Sequence, residues 1–72
     1  MNMEKEEYTI VVPSKGMSER ALINPGHIIE AAYLVCCQYD GAEVEIWQDG
    51  KRVLTCNMEK ATKFNVKLEA GL

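Results

Sequence analysis

The sequence lacks most of the residues and patterns that mark catalysis, metal binding or membrane insertion. It has a single histidine and three cysteines. The cysteines are odd in number, and none forms a C-x-x-C pair, which excludes the usual zinc and dithiol spacings. Two of them, Cys36 and Cys37, are adjacent in a helical stretch, point in different directions and make a poor disulfide. All three are read as reduced thiols, mostly buried. No run approaches the ~18 apolar residues of a membrane span. Eight Lys and Arg stand against eleven Asp and Glu, for a formal net charge of -3. That balance argues against nucleic acid or an anionic membrane as partner. The start, MNMEKEE, is acidic and has no basic segment followed by an apolar run, so a cytoplasmic setting is expected, with residues 1–7 as a frayed tail. There are no repeats, linkers or low-complexity segments, and 72 residues read as one domain.

What the chain does contain is one long apolar helix. In the stretch Asn24 to Tyr39, Asn24 is the expected N-cap and Pro25 takes the first helical position, where its missing N–H costs nothing. Ile28, Ala32, Val35, Cys36 and Tyr39 recur at helical spacing and form one buried face. Asp40-Gly41 stops the helix. The opposite side, Ile29, Tyr33, Leu34 and Cys37, is also apolar, relieved only by His27, Glu30 and Gln38. A helix apolar all round needs cover on two sides, and a chain this short cannot easily supply both.

Around the helix the chain reads as strands. Tyr8 to Val12 alternates, with Tyr8, Ile10 and Val12 on one face, and Pro13 ends it. Ser14 to Ile23 reads as a loop or a weak first turn. Ala42 to Trp47 and Lys51 to Cys56 flank Asp49-Gly50, the signature of a type I′ hairpin. A two-residue loop pairs Gln48 with Lys51, Trp47 with Arg52, Ile46 with Val53, Glu45 with Leu54 and Val44 with Thr55. This turns Val53 toward the helix and Leu54 away from it, and offers a cation–π contact between Arg52 and Trp47. Asn57 to Lys63 reads as a short helix or turn with a Glu59–Lys63 ion pair. Phe64 to Glu69 alternates as a last strand, with Phe64, Val66 and Leu68 inward. The expected fold is α+β, an open-faced sandwich in the order β-α-β-β-(short α)-β, a four-stranded sheet with a helix on one face.

This order, with a glycine loop after the first strand, resembles the histidine-containing phosphocarrier proteins (HPr) of the sugar phosphotransferase system. That family follows its first strand with G-[LI]-H-x-R-P-A. Here the stretch is Gly16-Met17-Ser18-Glu19-Arg20-Ala21, so Gly16 and Arg20 match, Ser18 stands at the histidine position and Ala21 at the proline position. Tyr39, Glu43 to Trp47, Asp49-Gly50-Lys51 and Arg52 to Cys56 follow the family's helix, strand, hairpin and strand. The family's regulatory serine falls near Asn57. The segment between Arg20 and Tyr39 is longer than in the family, the second helix is shortened and the C-terminal helix is missing.

The resemblance implies a domain without carrier chemistry at the usual loop, because a serine hydroxyl does not take and return a phosphoryl group as an imidazole does. Ser18 and Arg20 are then the remnant of an anion-binding loop. An alternative is an active carrier using His27, in the first turn of the helix, where free N–H groups favour a phosphate. A histidine there more often caps the helix or faces solvent. A third reading is an unrelated small α+β binding domain. No enzyme activity, cofactor or metal is expected. The surface Ile29, Tyr33, Leu34 and Cys37 is read as an interface, giving a homodimer that binds a protein partner, among them phosphotransferase-system or regulatory proteins.

Overall fold

The computed structural model describes residues 4–60 and 62–69. Five strands, β1 (Glu6–Val12), β2 (Met17–Ile23), β3 (Val44–Gln48), β4 (Lys51–Glu59) and β5 (Lys63–Leu68), form one sheet in the order β2-β1-β3-β4-β5. Every neighbouring pair is antiparallel. The one α-helix among the described residues, α1 (Ile28–Gln38), links β2 to β3. Those two strands flank β1 and both run against it, so they are parallel to each other and need a crossover of a dozen or more residues. The longest apolar segment of the chain serves as that crossover.

This architecture corrects the four-stranded, HPr-like β-α-β-β-(short α)-β order. Two segments account for the difference. Ser14 to Ile23, expected as a carrier loop, folds back on β1: Pro13–Lys15 makes a single 3-10 turn, Gly16 takes a left-handed φ of 62°, and Met17 to Ile23 pairs along the whole of β1. Asn57 to Lys63, expected as a short helix or turn, is the end of β4, a turn at Lys60 and the start of β5. The Glu59–Lys63 ion pair forms, at 3.7 Å, but it closes a hairpin in which those two residues face each other. Glu6 and Glu7, assigned from sequence to a tail, open β1.

α1 lies against β3 and β4. Asn24 caps the approach, its Oδ1 accepting the Gly26 N–H at 2.8 Å, and Pro25–His27 forms a 3-10 turn ahead of Ile28. The buried helix row is Ile28, Ala32 and Cys36. Facing it are Tyr8, Ile10 and Val12 of β1, Val44 and Ile46 of β3, and Leu54 and Cys56 of β4. Ala32 and Cys36 are small enough for the helix to sit close to the sheet, so that the Cys56 thiol lies 3.7 Å from the Ala32 carbonyl oxygen. The helix then ends in a Schellman arrangement. Asp40 adopts φ 58°, the Gly41 N–H donates to Cys36 O at 2.8 Å, and the Asp40 N–H donates to Cys37 O at 3.3 Å.

The β3–β4 hairpin has the expected turn, with positive φ at both Asp49 (52°) and Gly50 (76°). Its register departs from expectation after two pairs. Trp47 faces Arg52, but Ile46 faces Leu54, Glu45 faces Thr55 and Val44 faces Cys56. Val53 is therefore the extra residue of a β-bulge. A one-residue slip exchanges the faces of all later side chains. Leu54, expected on the open face, is fully buried beneath the helix, and Cys56 follows it into the core.

Candidate functional site

The residues singled out from sequence are not brought together. Ser18 and Arg20 lie on β2, exposed, on the sheet face away from α1. They are in a strand and not at a helix N-terminus. The Arg20 guanidinium lies 3.9 Å from the Glu7 carboxylate across the β1–β2 pair. It shares a shallow depression with Glu6, Glu7, Thr9, Trp47 and Asp49. An anion arriving there would meet three carboxylates and one arginine already answered by one of them.

His27 ends the 3-10 turn, exposed, with the Glu30 carboxylate 4.0 Å from its Nε2. A neighbouring carboxylate repels a phosphoryl group. Among the described residues, no three His, Cys, Asp or Glu side chains cluster closely enough to hold a metal ion. Cys36 and Cys56 are free and buried. Burial, and then the Cys36 thiol beside it, push Cys56 up to about 12. Burial and the neighbouring Cys37 also raise Cys36. Both thiols stay protonated near neutral pH, which removes their nucleophilic form.

On the open face Arg52 does not stack on Trp47 as expected. Its guanidinium reaches Glu69 at 3.1 Å and Glu45 at 3.5 Å, and the Trp47 indole N–H donates to Glu45 at 3.0 Å. Charge-assisted bonds to two carboxylates outweigh a solvated cation–π contact.

The expected interface residues divide. Leu34 is 67% exposed on the side of α1 away from the core, with Cys37 also exposed. Ile29 and Tyr33, one turn apart, occupy the flank of the helix that faces β5. There the Tyr33 ring meets the Phe64 ring edge-on, with centroids 5.0 Å apart and planes at 89°. Phe64, Val66 and Leu68 do alternate toward the helix side of the sheet, since they pair with Met58, Cys56 and Leu54. But α1 ends over β4 and does not cover them. Val66 and Leu68 stay 42% and 51% exposed, alongside Ile29 and Tyr33 at 40% and 42%. The result is an apolar strip of five side chains, two from the helix and three from β5.

β5 is also an edge strand. The Glu69 N–H donates to Val53 O at 3.0 Å, which sets the alternation of the β4–β5 ladder. Residues 63, 65, 67 and 69 direct their backbone groups at β4. The N–H and C=O of Phe64, Val66 and Leu68 point outward, away from the sheet. Among the described residues, the apolar strip and the outward, unpaired backbone therefore belong to the same three residues. Sequence reading placed these side chains correctly by alternation but missed their exposure. The signal available was the shortage of cover already evident for a two-sided helix in a short chain.

The other edge is different. β2 sets Glu19 opposite Ile10, a charge on the helix side of the sheet, and carries Arg20 and Ser18 on the other face. Such inward charges are a standard protection of sheet edges. β5 has no charge among its three helix-side residues.

Among the described residues no helix is long and apolar enough to cross a membrane. Comparison with models of protein families, with curated proteins and with solved structures matches this chain to none of them.

Proposed function

We propose that this chain is a protein-interaction module that binds through strand addition at the β5 edge. The observation that carries the reading is the coincidence of two unsatisfied features in one place. Phe64, Val66 and Leu68 offer outward backbone groups, and with Ile29 and Tyr33 they offer an apolar strip. An added strand would satisfy both at once, through main-chain hydrogen bonds and side-chain burial. The opposite edge, with Glu19 in the equivalent face, is guarded. The net charge of -3 supports a protein partner over nucleic acid, and three free cysteines support a reducing, cytoplasmic setting.

A photoreactive benzoylphenylalanine placed at Leu68 tests this in source cells, with the same group at the remote, exposed Ser14 as control. The reading expects a discrete adduct at position 68 that the control lacks. Identical adduct patterns at the two positions would overturn it.

A further inference from the structure

Resting on that edge reading, we propose that the occupant of the β5 edge is a second copy of this chain, paired antiparallel about a two-fold axis that passes through Val66. Such an axis stands perpendicular to the sheet. It makes β5 antiparallel to its copy and keeps both helices on the same side, so that the two apolar strips meet.

The register follows from the residues. With the axis at Val66, Val66 faces its own copy, Phe64 faces the partner's Leu68, and Lys63 faces the partner's Glu69. All three outward-directed residues find outward-directed partners, which gives six inter-chain main-chain hydrogen bonds. The side chains on the helix side are then apolar against apolar at every pair, roofed by Ile29 and Tyr33 from both copies. On the open face Lys63 meets Glu69 twice, opposite charges directly across the pair.

The adjacent in-phase registers lack this match. Moving the axis to Asn65 sets Lys63 against the partner's Lys67 twice and leaves Leu68 without a strand partner. Moving it to Lys67 sets that lysine against its own copy and strands Phe64. Like charges directly opposite are destabilising, so charge selects the register that the hydrogen bonds also select. Pairing β5 with the β2 edge of another copy would place Glu19 in the apolar strip and would propagate as an open fibre, whereas the Val66 axis closes.

The test uses chemically synthesised full-length chain in sedimentation equilibrium over a concentration series, beside a version whose Val66 amide carries an N-methyl group. That amide points outward and makes no bond within the sheet, so the methyl leaves the monomer's fold intact, as circular dichroism verifies. In the dimer it removes two hydrogen bonds and sets two methyls between the strands. The unmodified chain is expected to reach twice 8.1 kDa, and the N-methyl form to dimerise at least about tenfold more weakly.

A mass that stays at 8.1 kDa at every concentration would overturn the second-copy inference. So would a dimer indifferent to the N-methyl group but dissolved by Leu34→Glu, because it would be joined through the outer helix face. A monomer that still gives a specific adduct at position 68 with another protein sinks the second copy and leaves the interaction module standing. A monomer without that adduct removes both.

Discussion

Gly41 is where one methyl group should have the largest effect relative to its size. It follows the left-handed Asp40 at the end of α1, with a φ of 84° of its own. Its carbonyl accepts the Met58 N–H at 3.1 Å, tying the helix end to the last turn of β4. A Cβ added there would lie 2.8 Å from the Met58 carbonyl oxygen and 3.3 Å from the Met58 Cβ. The first of these is backbone within a paired strand and cannot swing aside. Gly41→Ala therefore carries two costs. A left-handed φ in a residue with a Cβ costs roughly 1–2 kcal/mol. Relieving the contact means moving β4 from the helix end and straining or losing the Met58–Gly41 bond, worth a further ~0.5–1.5 kcal/mol. Together they come to roughly 1.5–3.5 kcal/mol, a large part of the roughly 4–11 kcal/mol expected for a chain of this length. Gly16→Ala is the control. Its φ of 62° carries the same conformational cost, but nothing lies within 4 Å of the added Cβ. Urea unfolding, followed at a concentration where the mass is monomeric, should give a midpoint loss for Gly41→Ala about twice that of Gly16→Ala, with similar m-values. In thermal scans each kcal/mol should appear as roughly 4–8 °C. Equal losses for the two variants would refute the clash and with it the close seating of the helix end on β4.

Three further outcomes follow from the same structure. Leu54→Ala should cost ~2–5 kcal/mol and Val53→Ala distinctly less, because the bulge buries Leu54 fully and leaves Val53 half-buried; paired chemical denaturation curves distinguish this from the regular register, in which the order reverses. Asp40→Gly should stabilise the fold by up to ~1 kcal/mol, seen as a higher urea midpoint, since a glycine takes the left-handed position more readily and the change removes a negative charge from the helix C-terminus. The Cys56 thiol titrates at about 12 in the fold, against 9.0 for an unperturbed thiol. Below the lower value both states keep the proton and its contribution is complete. As pH rises from there toward the folded value, the unfolded chain releases a proton that the folded chain retains, so stability should fall across that window. Cys56→Ala should flatten that alkaline slope in pH-dependent melting, and an unchanged slope would refute it.

The helix and the β3–β4 turn were legible because each is encoded by neighbours in sequence. Asn24 and Pro25 open the 3-10 turn that leads into the helix, Asp40-Gly41 ends the helix, and Asp49-Gly50 closes the hairpin, all through local backbone preference. β2 was not legible. Its residues, MSERALI, lack clean alternation because an edge strand is solvated and carries Glu19 as a guard, so the pattern that marks a buried strand is missing. The β4 extension through Glu59 failed for the same kind of reason. Asn57 and Glu59 suit a helix start locally, and only pairing with β5 makes them strand. The phosphocarrier-like reading placed Gly16 and Arg20 in a loop, whereas that segment is a 3-10 turn followed by an edge strand.

Sequence alone determined where apolar side chains recur and where the chain must turn, because those depend on residues a few positions apart. It determined that α1 was too apolar for the cover available. Tertiary structure decided which strands are neighbours, which residue the bulge absorbs, and which strip stays open. Those outcomes depend on how far an eleven-residue helix reaches across a five-stranded sheet. It covers β3 and β4 and stops short of β5, so side chains patterned for a core became an exposed edge.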